Sequence, residues 1–224
     1  MKKTLLITAS LLLLLVTFIP NANAQEEEKS FSWDTGLDIY SSYLWRGAKF
    51  GTGAAFQPYV EFSVGDFAIG GWGSVNTGGD EAFEMDLYAG YSFGPVSIAV
   101  TDYYFGGDWT EYSMNHYLEP SASLELGDFS AMAAFMFLPE MEDVKFGEEM
   151  DMYFEAGYSF ESFSIGLGAG DGQYTSDGDF NICNINIGTS KEIPITEEFS
   201  LPVSGTIMLN PSTGGFHIAV GISL

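Results

Sequence analysis

Phe56-Gln-Pro-Tyr-Val-Glu-Phe-Ser-Val64, then Gly65-Asp66, then Phe67-Ala-Ile-Gly-Gly-Trp-Gly-Ser-Val75, is the stretch on which the fold turns. Phe56, Val60, Phe62 and Val64 fall on one side of an extended chain, in step with Phe67, Ile69 and Val75. Gln57, Tyr59, Glu61 and Ser63 fall on the other, in step with Ala68, Trp72 and Ser74. A period of two marks a β-strand, and two such runs joined by a two-residue turn read as a hairpin. Taken alone, a sheet with one apolar and one polar face fits half of a soluble sandwich.

The unit recurs down the chain. Phe83, Met85, Leu87, Ala89, Tyr91 and Phe93 alternate with polar or small residues before Gly94-Pro95, and Val96, Ile98 and Val100 follow. Leu118, Ala122, Leu124 and Leu126 precede Gly127-Asp128; Met152, Phe154, Ala156, Tyr158 and Phe160 precede Glu161-Ser162. Turns thus begin at 65, 94, 127 and 161, with only Gly-Asp-Phe repeating as literal sequence. The first strand is expected to run from Phe31 to Arg46, with Phe31, Trp33, Leu37, Ile39, Tyr43 and Trp45 on its apolar face. A less regular pair, 182–189 and 201–209, is joined by a longer turn over 190–199, and isoleucines at both parities leave the faces of 181–190 open. Phe216 to Leu224 closes the series, giving about twelve antiparallel strands.

Ahead of these strands, Met1-Lys2-Lys3, an apolar run from Leu5 to Ile19 and Ala22-Asn23-Ala24 have the form of a cleaved secretory signal peptide. The expected organisation is a signal peptide over 1–24, an acidic lead-in over 25–30 and a β domain over 31–224. The formal net charge is −24, with 31 acidic residues. Past the leader the basic side chains are Lys29, Arg46, Lys49, Lys145 and Lys191, which leaves nothing to hold nucleic acid phosphates. Hydrophobic content of 46% and aromatic content of 16% exclude disorder. One cysteine and two histidines supply neither a disulfide nor a zinc or iron–sulfur site, so no cofactor or metal is expected.

A membrane barrel explains the pattern better than a sandwich. The strands have the roughly 9–11 residues that a tilted strand needs to cross hydrocarbon. Short and long connections alternate, and aromatic residues such as Phe31, Trp33, Phe93, Phe160, Phe163 and Phe216 sit near strand ends. Lysine and arginine stay off the apolar face except near an end. The expectation is an all-β, antiparallel up-and-down transmembrane β-barrel in the outer membrane of a Gram-negative bacterium, both termini periplasmic. Its partners would be outer-membrane lipid, small ions or solutes and, during biogenesis, the barrel-assembly machinery.

From Ser41 onward the chain resembles the TorF-type porin family of small outer-membrane barrels. The residues that carry this are Ser41-Ser-Tyr-Leu-Trp-Arg-Gly47, Gly71-Trp-Gly-Ser74, Asp86-Leu-Tyr-Ala-Gly-Tyr91, Thr101-Asp-Tyr-Tyr104 and Glu119. Leu224 departs from the terminal aromatic usual in such barrels. The resemblance implies a porin-like role without naming a solute.

With the apolar face turned to lipid, the other face lines the lumen. The candidate pore-lining residues are Asp34, Asp38, Tyr40, Arg46, Tyr59, Glu61, Trp72, Glu84, Asp86, Tyr88, Tyr103, Glu119, Glu125, Tyr153 and Glu155. An acidic lining concentrates cations and repels anions, so one reading is a narrow, cation-preferring channel. The other is a non-conducting structural or interaction barrel whose bulky lumen residues plug it. Arg46 is expected to pair with Glu61, Glu84 and Asp86 on neighbouring strands. Catalysis is not expected: His116, placed in a loop, and His217, placed inward, lack a nucleophile motif. The acidic loop Pro139 to Asp151 lacks the ligand spacing of a calcium loop.

Overall fold

The computed structural model describes residues 30–78, 83–140 and 145–224. The expected signal peptide, most of the lead-in and parts of two loops lie outside the described residues. Twelve strands close into one antiparallel barrel, each beside its neighbours in sequence. They are β1 (Phe31–Tyr40), β4 (Ala55–Val64), β5 (Phe67–Asn76), β6 (Phe83–Phe93), β7 (Val96–Tyr104) and β8 (His116–Leu126). The ring continues through β9 (Phe129–Phe137), β10 (Met150–Ser159), β11 (Ser164–Gly170), β12 (Asn181–Pro194), β13 (Ser200–Asn210) and β14 (Gly215–Ser223). β2 (Tyr43–Trp45) and β3 (Ala48–Phe50) form a separate small hairpin.

Glycine chemistry sets one end of the barrel. Gly65, Gly94 and Gly127 have φ of 59°, 67° and 61° and lead two-residue turns between directly paired strand ends. Such turns carry the twist that antiparallel strands need, and only glycine enters them without strain. At the seam, β1 pairs with β4 along its whole length but with β14 only over Asp38–Tyr40. Reciprocal bonds of 3.0 and 3.1 Å between Leu37 and Leu224 extend that contact. The end with the tight turns also holds Phe31 and Leu224; the longer loops lie at the other.

The barrel is inside-out relative to a soluble protein. Outward residues at mid-strand are bare, with Ile218 at 59% and Val220 at 56% exposure, while inward Ala134 and Tyr153 are at 0%. Inward glycines make room for the tyrosines: a Cβ at Gly36 would overlap the Tyr59 ring, and one at Gly70 the Tyr88 ring. Large rings therefore lie flat along the wall over a neighbouring strand's glycine.

Two local expectations are corrected and one open question is resolved. β1 stops at Tyr40, and the next residues turn inward as the β2–β3 hairpin, so Tyr43 and Trp45 do not continue the outer face. The joined strands β12 and β13 are longer than expected and the turn between them shrinks to 195–199, closed by Ile195 N–H to Phe199 C=O at 2.9 Å. The mixed parity at 181–190 is a β-bulge: Gly168 faces Asn184 but Ala169 faces Ile182, leaving Cys183 as an extra residue. Ile182, Ile185 and Ile187 can then all point outward. Gly70→Val should lower the urea-unfolding stability by about 1–3 kcal/mol through displacement of Tyr88. Outward Gly71→Val, with no neighbour nearer than 3.5 Å, should stay within about 0.5 kcal/mol of wild type. Equal losses would show that the Tyr88–Gly70 contact does not hold the wall.

Candidate functional site

The lumen is crossed by the hairpin that follows β1. Its turn is Arg46-Gly47, between paired Trp45 and Ala48, with φ of 46° and 88°. Both values are left-handed, as a type I′ turn requires. Arg46 is the only non-glycine residue with positive φ among the described residues. A side chain in that region is strained and persists where surroundings over-determine it. Gly47 is fixed by close approach instead: a Cβ there would strike the Cys183 carbonyl on β12.

Those surroundings belong to the far wall. Arg46 donates from Nη1 to Glu119 Oε2 at 2.6 Å and from Nη2 to Glu119 Oε1 at 2.8 Å, a two-pronged ion pair. Glu119 lies on β8, five places round the ring of twelve from β1. Arg46 Nη1 also donates to the Tyr174 hydroxyl at 2.8 Å, and Tyr103 donates to Glu119 at 3.1 Å. The guanidinium carbon lies 4.5 Å from the Trp45 ring and 4.6 Å from the Tyr153 ring. Side-chain exposures of 9% and 3% put the pair out of water. Burial alone would loosen the Arg46 proton, and the Glu119 hydrogen bonds outweigh it, so the group holds its charge more firmly than a free arginine. Tyr43, whose proton burial and then Glu84 and Asp86 retain, donates to Glu84 at 3.2 Å and packs on Trp72. The expected pairing of Arg46 with Glu61, Glu84 and Asp86 is replaced by this longer reach, because Arg46 rides on the hairpin rather than on β1.

The other carboxylates are met mainly by tyrosines. Tyr59 donates to Asp34 and Tyr88 to Glu61, each at 3.0 Å, across adjacent or next-adjacent strands. Glu155 accepts from Tyr153 and, at 2.8 Å, from Asn184. Asp38, Tyr40, Tyr59, Trp72, Asp86, Tyr88 and Tyr103 line a cavity of about 630 Å³ beside the hairpin. Glu125 is exposed at the turn end of β8, away from the cavity. Tyr174, Asn184 and Met136 also line this buried waist; Tyr174 belongs to a loop and Asn184 follows the bulge, so neither carried a periodic signal, whereas Met136 falls on the inward parity of β9.

His116 is the first residue of β8 rather than a loop residue, and it is fully buried on the outer side. Its Nδ1 lies 2.9 Å from Asp102, its Nε2 lies 3.2 Å from the Trp109 carbonyl, and Tyr112 stacks on its ring. Nδ1 thus ties β8 to Asp102 of β7, and Nε2 holds the loop over 105–115 to the wall at Trp109. No group of three or more candidate metal ligands occurs among the described residues.

No protein-family model matches the chain, and no curated protein matches it. Among solved structures it is similar to a mutant porin of Rh. blastica, at 14% identity and a TM-score of 0.42, covering 76% of this chain and 55% of that one. It is similar to outer membrane phospholipase A from Escherichia coli, at 13% identity and 0.41, covering 88% and 93%. It is similar to OccAB3 of Acinetobacter baumannii, at 10% and 0.36, covering 85% and 59%. The chain spans just over half the length of that porin.

Arg46 is the sole arginine of the sequence, which makes the hairpin testable by one cut. An arginine-specific protease should leave the folded wild type intact. Glu119→Gln should yield a fragment beginning at Gly47 about tenfold faster, because the buried pair is broken. Equal cleavage rates would show that Glu119 does not hold the hairpin in.

Proposed function

We propose that this protein is an outer-membrane barrel forming a narrow, acidic-lined, cation-preferring channel for ions or small solutes, constricted by the β2–β3 hairpin. The observation that carries the reading is the cavity inside the closed barrel. It is lined by Asp38 and Asp86 and by no lysine or arginine. Negative walls of low dielectric attract cations and exclude anions. The lipid setting is supported by the bare apolar outer face and by aromatic clusters near its rims, such as Tyr91–Phe93 and Phe160–Phe163 at the turn end. Backbone closure is the condition for a sheet in lipid. The tight-turn end, with both termini, faces the periplasm in this reading. The 1–24 leader and the barrel-assembly machinery bring the chain there, and the small TorF-type porins are the kind of barrel it would join. No catalytic step is assigned in this reading.

One observation favours the runner-up, a non-conducting barrel: inward Ala55, Ala134, Tyr153 and Glu119 are all at 2% exposure or less, so the waist is filled. Planar bilayers under a KCl gradient decide between the two. A reversal potential of cation sign is expected; anion sign would overturn the reading. Silence in the wild type with conductance in Glu119→Gln would favour the plugged barrel. The lipid setting has its own check. Val100→Arg, mid-strand on the outer face, should cost about 2–4 kcal/mol of folding stability in vesicles. A loss near zero would place that face outside hydrocarbon.

A further inference from the structure

We infer that the lumen holds a binding site for an organic ammonium ion, centred on Asp86. The inference rests on the acidic-lumen reading and gives that site a ligand class. Asp86 is 7% exposed, yet its Oδ1 has no hydrogen-bond partner among the described residues. Every other buried lumen carboxylate named above has a donor: Tyr43 for Glu84, and Arg46 and Tyr103 for Glu119. A buried, unpartnered carboxylate oxygen is costly, and a cation or strong donor relieves it. The lumen's arginine does not do so: its side-chain hydrogen bonds go to Glu119 and Tyr174, and none reaches Asp86 Oδ1.

Register supplies the walls of the site. Tyr59 faces Trp72, Trp72 faces Asp86 and Asp86 faces Tyr103 across four consecutive strands, forming one inward row. Tyr43 of the hairpin lies against Trp72, with ring centres 5.6 Å apart. Asp86 is therefore flanked on both sides by aromatic rings, with the 630 Å³ cavity in front, a size that suits a small organic ligand. Aromatic faces attract cations, and most strongly those that shed their water easily, as alkylated ammonium ions do. A divalent metal would need several oxygen ligands, and no such group occurs among the described residues.

Calorimetric titration of the full chain, folded in detergent, tests this without any need for conduction. Choline should bind saturably, and its neutral isostere 3,3-dimethylbutan-1-ol about tenfold more weakly. Asp86→Asn should weaken choline binding about tenfold, and Trp72→Leu severalfold, with the folded band retained on unheated gels. Should Asp86→Asn not fold, Trp72→Leu and the isostere pair carry the test. Equal binding of the neutral alcohol, unchanged affinity in the folded variants, or displacement of choline by an equal concentration of K⁺ would overturn the proposal. A barrel that binds choline yet passes no current overturns the channel reading alone; one that conducts without binding choline overturns this one alone.

Discussion

The ion pair between Arg46 and Glu119 is the contact on which the interior depends. Neither partner could stand alone where it sits, because removing one member of a buried pair costs about 3–5 kcal/mol. Two parallel N–H···O bonds, a tyrosine hydroxyl on each partner and two aromatic faces around the guanidinium meet the geometric demands of burying charge. The left-handed backbone at Arg46 is tolerated for the same reason. The pair locates the hairpin tip against β8, and Gly47 lets the tip lie flush with β12.

Elsewhere the interior solves a different problem. It carries many carboxylates and few cations, so ion pairing cannot satisfy them. Tyrosine hydroxyls do, as at Asp34, Glu61, Glu84 and Glu155. A neutral hydroxyl donor fills a carboxylate lone pair without supplying an opposite charge. The inward glycines belong to the same arrangement, since a ring lying flat over a glycine can aim its hydroxyl at a carboxylate on the adjacent strand or the next but one.

The wall of this barrel was legible because alternation and two-residue turns are local properties. Phe62 and Glu61 point apart whatever the rest of the chain does, and Gly65, Gly94 and Gly127 mark reversals by themselves. The end of β1 was not. Tyr43 and Trp45 keep the parity of Leu37 and Ile39, so alternation carries straight through a strand end. Arg46-Gly47 is also an unusual pair for a type I′ turn. The partner of Arg46 lay further out of reach: Glu119 is 73 residues away in sequence, and nothing local points across a ring. The mixed isoleucine parity at 181–190 was a true signal of a bulge, unreadable until its partner strand was known.

The hairpin's covalent attachment has a consequence of its own. Its flanks leave the wall at Tyr40 and return at Ala55, residues that pair directly with each other. The obstruction is therefore a unimolecular one: its departure would be a swing on a short tether, not a dissociation. Dilution cannot wash it out, and crowding the membrane with more copies cannot add to it. The hold on the hairpin is an intrinsic property of each molecule, set largely by one arginine and one glutamate.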